Sequence, residues 1–177
     1  MSYITHTELA ERPGARELAQ VATADNLRVI DFELMDASLR GGDRSAWDAS
    51  ALAAADDALR RIDDAVTEAE ALIDGYLAKR GYVLPLDLSA ASTRKLIAGW
   101  SRAITRYLLQ KDSISDEKSS PIARDYRDAL RMLQLIADGK FSLGAEDPQA
   151  SGAGAATDVR FSYPEPVFGR KQLRSFR

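Results

Sequence analysis

From Asp48 onward, one apolar stripe runs unbroken for about eight helical turns at ~3.6 residues per turn. Leu52, Ala55, Leu59, Ile62, Val66, Ala69, Ile73 and Tyr76 follow one another at steps of three and four. That spacing places every one of them on the same side of an α-helix and is incompatible with a strand, whose faces alternate at every residue. Asp48 or Ser50 is positioned to cap the first turn. The predicted helix covers about residues 50–79. Taken from Ala51, its length is roughly 43 Å at ~1.5 Å per residue. The opposite side carries Asp56, Asp57, Asp63, Asp64, Glu68 and Glu70 and reads as a solvated acidic face. The alanine-rich start, SALAAADDAL, reads as good helix former. A rod this long with a single apolar stripe must be covered by other helices. The chain is therefore expected to be all-α, a small helical bundle.

The rest of the sequence supplies the covering elements. A helix over about residues 93–111 places Leu96, Ile97, Trp100, Ala103, Ile104, Tyr107 and Leu108 on one side. A polar loop, Asp112 to Ser120, separates it from a helix over about 121–138. The latter starts with Ser120 as cap and Pro121 at the first position, where a missing N–H costs nothing. Its stripe is Ile122, Tyr126, Leu130, Leu133 and Ile136. Gly139 is placed to close it in a left-handed cap, with Lys140 beside the negative end of the dipole. Near the N-terminus, Thr5 and Glu8 form a capping box. A short helix follows it and ends near Pro13-Gly14, and a second spans Ala15 to Ala22. Asn26 to Leu39 is read as a helix despite its mixed periodicity, ending in the loop at Gly41-Gly42-Asp43.

Between the two longest helices lies IDGYLAKRGYVLPLDL, a loop that stays apolar across two glycines, two tyrosines and a proline. Gly81 is expected to stop the long helix, because a left-handed residue is wanted there. Pro85 holds Leu84 extended. Val83, Leu84, Leu86 and Leu88 are then free to pin the turn to the bundle. Gly75, inside the helix, has no such role and costs about 1 kcal/mol against alanine. A close helix approach or a subunit contact accounts for it. Gly75, Tyr76, Tyr82 and Leu84 are accordingly candidate subunit-contact residues.

Composition changes after residue 144. AEDPQASGAGAATD, residues 145–158, has no hydrophobic stripe and reads as a flexible linker. The final stretch, residues 159–177, is rich in aromatics and too short for a core of its own. Residues 145–177 hold five cations against four acids, leaving a net −4 on the helical body, residues 1–144. The last dozen residues, PVFGRKQLRSFR, carry four cations and no acid. An aromatic, basic, proline-punctuated arm on a tether is suited to docking on another molecule. Its candidate anchors are Phe161, Tyr163, Phe168, Leu173 and Phe176, and its candidate charge contacts are Arg170, Lys171, Arg174 and Arg177. The alternation in VRFSY suits strand addition to a partner's sheet.

Sites for chemistry are sparse. With no cysteine and one histidine, His6, thiolate metal sites and multi-histidine zinc sites are excluded. No phosphate-binding glycine motif is present; GAG at Gly152–Gly154 lies in the linker with no strand before it. The acids of the long helix lack the Glu-x-x-His pairs of a di-iron bundle. No catalytic residue, metal or cofactor is therefore expected, and the protein is not expected to be an enzyme. No apolar run long enough for a membrane span occurs, and MSYITHTELAERPG lacks the layout of a signal peptide.

Three segments, EAEALIDGYLAKRGYVLPLDL, RKLIAGWSRAITRYLL and RDYRDALRMLQLIADGKFSLG, occur in that order. Together with Tyr3-Ile4-Thr5 and Glu8-Leu9, they resemble the Mu-like head–tail joining proteins of tailed phages and prophages, relatives of the adaptor or connector proteins of long-tailed phages. The resemblance covers about residues 1–144 and is most specific over Ile73–Leu86 and Ile136–Leu143. Residues 23–47 and the tail depart from it. It implies a helical adaptor that forms a homo-oligomeric ring of roughly twelve copies beneath the portal protein. It also implies a location in the virion neck, assembled in the host cytoplasm. A DNA channel passes through the lumen without sequence-specific binding, and the far side meets the next neck protein (a stopper or head-completion protein) or a tail terminator. No membrane takes part. On this reading the arm docks on the portal. The rival reading is a soluble helical regulator whose basic tail binds nucleic acid.

Overall fold

The computed structural model describes residues 2–144 and Asp147. The arm, 159–177, and the linker apart from Asp147 lie outside the described residues. Those described are all helical, with no strand among them. The elements are α1 (His6–Leu9), α2 (Ala15–Ala22), α3 (Phe32–Arg40), α4 (Ala49–Arg80), α5 (Ala91–Gln110) and α6 (Pro121–Ala137). A single wide turn, Ala10–Gly14, joins α1 to α2, and a 3₁₀ turn, Lys111–Ser113, follows α5.

The caps follow the chemistry of the sequence. The Thr5 side chain accepts from Glu8 N–H, and the Glu8 carboxylate accepts from Thr5 N–H at 2.8 Å. Asp48 opens α4 by accepting from Ala51 N–H at 2.8 Å, a bond that holds its carboxyl below the usual range. Gly81 closes α4 at φ 95°, in the left-handed region. Gly139 follows α6 at φ 73°, while Lys140 N–H and Phe141 N–H both return to Leu135 O. These bonds satisfy carbonyls that a helix end otherwise leaves open.

Residues 23–31 are the main correction. The expected helix from Asn26 does not form until Phe32. Asp31 is the reason: its side chain accepts from Glu33 N–H at 2.7 Å and starts α3 there. Upstream, the Thr23 hydroxyl donates to Ala19 O and accepts from Ile30 N–H at 3.3 Å, holding the segment as a non-helical link.

The core has two parts, both built on α4. Ala55, Ala58, Ile62 and Val66 pack with Leu9, Leu18, Leu34, Met35 and Leu39 from α1–α3. Ala69, Ile73 and Leu77 pack with Ile97, Trp100, Ile104, Leu133 and Ile136 from α5 and α6. The alanines of the first half are thus more than helix formers, since Ala55 and Ala58 are fully buried. Their small side chains let α2 and α3 lie close to the rod. The Arg106 guanidinium grips the Glu17 carboxylate in a fork, 2.5 and 2.8 Å, tying α5 to α2 across the two parts.

The N-terminal residues are strapped onto α4. Tyr3 N–H donates to Glu70 at 2.6 Å, and the Tyr3 hydroxyl donates to Asp74. Glu70 is therefore a structural acceptor, not only part of a solvated face. Burial, then the bond to Asp74, raises the Tyr3 phenol above its ordinary value of 10.0. A raised value means the folded state holds the proton more tightly than the unfolded chain. The stability that Tyr3 contributes is complete below that ordinary value and is lost as pH rises beyond it. Thermal melting followed from about pH 9 to about pH 11 will fall less steeply for Tyr3→Phe than for the parent chain.

Gly139 offers a second check. A side chain there suffers left-handed strain of about 1–2 kcal/mol, and its Cβ would collide with the Arg80 guanidinium. Gly139→Ala is expected to lower the unfolding free energy by at least that amount, read as a lower urea midpoint at unchanged m-value.

Candidate functional site

The stretch after α6 is held against the body at Phe141, Leu143 and Asp147. Phe141 meets Trp100 edge to face at 6.5 Å between centroids. Leu143 N–H donates to the Tyr82 hydroxyl oxygen at 3.2 Å, and Leu143 O accepts from the Thr93 hydroxyl at 3.1 Å. Asp147 then forms a two-pronged pair with Arg80 at 2.9–3.1 Å. Both partners are withdrawn from water, with side-chain exposures of 11% for Arg80 and 3% for Asp147. Removing one partner of such a pair costs about 3–5 kcal/mol, because the other charge is left buried. Asp147 is therefore held at a fixed point beside the C-terminal end of α4.

The candidate subunit-contact residues divide. Tyr82 is buried and braces Leu143, leaving little surface for a neighbour. Tyr76 is half-buried and packs on the second core. Gly75 is exposed, and a Cβ there would meet nothing within 4 Å, so a close approach inside the body does not explain it. Leu84 is exposed. The expectation that Val83 and Leu84 pin the loop to the bundle is overturned, because Val83 is 84% exposed and Leu84 37%. Leu86 takes the buried place, with Leu88 half-buried behind it. The nine arm residues, Phe161 to Arg177, lie outside the described residues.

Sequence reasoning missed a groove at the other end of α4. Residues 27–34 and the first turns of α4 enclose a cleft of about 550 Å³, floored by Ile30, Leu34, Ala51 and Ala54. Leu27, Val29 and Phe32 stand exposed in and beside this segment. Reading Asn26–Leu39 as one helix concealed the cleft. The signal that finds it is Asp31, a capping residue immediately before Phe32-Glu33.

Polar groups elsewhere form ordinary surface pairs. His6 Nε2 lies 2.5 Å from Asp63 Oδ1, with both side chains substantially exposed. Asp56 pairs with Arg44 at 2.5 Å, and Asp57 with Arg60 and Arg61 at 3.0 and 3.2 Å. Among the described residues, no group of three or more His, Asp or Glu is arranged to hold a metal, and no helix is long and apolar enough to cross a membrane.

Comparison with known proteins identifies the lineage of this body. The family model for bacteriophage Mu, Gp36 matches residues 3–161, nearly the whole chain. The chain belongs to the bacteriophage Mu Gp36 family. It is 33% identical over 117 residues to gene product J of Escherichia phage Mu, covering 62% of this chain and 75% of that protein. It is 34% identical over 87 residues to the Mu-like prophage FluMu protein gp36 of Haemophilus influenzae, covering 49% of this chain and 55% of that relative. Membership in the Gp36 family makes it a phage structural or morphogenesis protein. The matched span includes both ends of α4, the cleft and the exit at Asp147.

Gly75 gives this family member a clean separation of folding from assembly. Within the body alone, Gly75→Ala relieves a helix-interior glycine and is expected to raise stability by up to about 1 kcal/mol. If Gly75 lies against a neighbouring copy, the same variant will melt higher yet assemble poorly. Denaturation and particle incorporation, measured side by side, check this.

Proposed function

We propose that this Gp36-family protein is a head–tail connector, an adaptor that forms a ring under the portal, extends the DNA channel and joins head to tail. The ring holds roughly twelve copies, the number that the family resemblance implies. Its place is the virion neck, with the next neck protein or a tail terminator on its far side. The role is structural rather than catalytic.

The observation that carries this reading is the junction of family and architecture. A Gp36-type body ends in a rigidly anchored exit, Arg80–Asp147, and continues into an aromatic, basic segment. A fixed departure point lowers the entropy cost of presenting an arm, and repetition around a ring adds avidity. Phe161, Tyr163, Phe168, Leu173 and Phe176 are the proposed anchors on the portal, with Arg170, Lys171, Arg174 and Arg177 pairing with its acids. A body carrying net −4 suits a channel wall that DNA must slide past without sticking.

Deletion of residues 159–177 tests the arm. The truncated body is expected to fold with unchanged melting but to fail to join heads to tails. Normal yields of joined particles would sink the docking role. DNA retardation by the full chain at physiological salt, lost on truncation, would favour nucleic-acid binding instead.

A further inference from the structure

The large hydrophobic side chains exposed among the described residues are Leu27, Val29, Phe32, Val83 and Leu84. They are not scattered, as incidental surface apolar groups are. Leu27, Val29 and Phe32 belong to the segment that frames the cleft at the start of α4. Val83 and Leu84 project from the loop that follows Gly81 at its end. From Ala51 to Arg80 the rod spans about 44 Å at ~1.5 Å per residue. The body therefore has a partly apolar cleft at one end and two exposed apolar side chains at the other.

Charge divides in the same way. The cleft is lined by Asp31 and Asp48 against Arg28, and Glu33 follows two residues after Asp31. The end that bears Val83 and Leu84 carries Lys79, Lys95 and Lys140 against Asp87 and Asp138. One end is acidic and the other leans basic. A two-fold contact that set each surface against its own counterpart would bring like charge to like charge, whereas a reciprocal two-fold pair, cleft to loop and loop to cleft, would close as a dimer. A head-to-tail contact brings opposite signs together, sets the exposed apolar pair in a partly apolar cleft and leaves a free cleft for the next copy.

We propose that the cleft formed by residues 27–34 and the start of α4 receives Val83 and Leu84 of a second copy of this chain, in a head-to-tail contact. The inference rests on the ring reading above and supplies its lateral interface. It also gives a use to Leu84 and to a solvent-facing Val83 that packing within the body does not. A head-to-tail contact closes into a ring when its rotation divides the circle, and otherwise runs on as a filament.

Because the chain has no cysteine, single-cysteine cross-linking is clean. Full-length Val29→Cys and Val83→Cys, both at exposed positions, are prepared separately, mixed, and treated with a short bis-maleimide. The experiment is run on the concentrated protein and on assembled heads. The mixture is expected to give a cross-linked dimer, each variant alone none, and the double variant a ladder of higher species; a double variant that stops at the dimer would show a reciprocal two-fold pair and overturn the proposal. Cross-linking of either single variant with itself would show a two-fold contact and overturn the proposal. No cross-link in the mixture, in heads that still carry a ring, overturns this interface and leaves the ring standing. Cross-linking in the mixture, from a chain that forms no ring on heads, upholds the contact and removes the connector reading. Phe32→Asp and Leu84→Asp, both at exposed sites, are expected to abolish incorporation into heads without lowering the melting temperature; normal incorporation of both overturns the proposal.

Discussion

The apolar stripe of α4 faces two clusters at once, and each cluster needs its half of that stripe to exclude water. The first half offers Ala55, Ala58, Ile62 and Val66 to α1–α3. The second offers Ala69, Ile73 and Leu77 to α5 and α6. A helix of this length has little stability alone in water and depends on burial of its stripe. The dependence is mutual, because neither group of short helices buries its apolar side without the rod. The Glu17–Arg106 fork joins the two groups away from α4 and opposes hinging between them. What results is a stiff body whose two ends stand at a fixed separation.

Several charged side chains that resemble a plain solvated surface instead hold parts of this body in place. Glu70 and Asp74 receive the N-terminal strap, Arg44 reaches Asp56 from the loop after α3, and Arg80 holds Asp147. The exposed pairs are worth little individually, since water and salt screen them. The Arg80–Asp147 pair is different. It is buried, and it holds Asp147 beside the C-terminal end of α4. On the proposed connector reading, the pair sets the point from which a docking segment would start.

Much of the fold was legible because its elements are long and strongly periodic. The stripe from Leu52 to Tyr76 announced α4, Ser120-Pro121 announced α6, and Gly81 and Gly139 marked the stops. Legibility failed where a local hydrogen bond outweighed apolar content. Asp31 caps α3 and turns the preceding apolar residues into an edge of a cleft. It failed again at Val83 and Leu84, where hydrophobicity alone suggested burial. Leu86 is the residue of this loop that reaches the second core, and no pattern in the sequence reports which of the neighbouring apolar residues takes the buried place. The arm was read from composition and lies outside the described residues, so only the exit that feeds it is defined by geometry. Family membership was legible in the motifs of α4, α5 and α6, which carry the packing of the second core.

The placement of these features along α4 has one more consequence. The exposed apolar pair, Val83 and Leu84, and the anchored exit at Arg80–Asp147 lie at the same end of the rod, within a few residues of Gly81. In a head-to-tail assembly that end meets the cleft of the next copy. Each arm then departs from a junction between subunits rather than from the middle of one. A lone copy, with one arm and no neighbour, holds a single weak contact. A closed ring multiplies that contact by its copy number, because every bound arm keeps the others near their sites. On the ring reading, that difference separates incomplete from complete assembly by geometry alone.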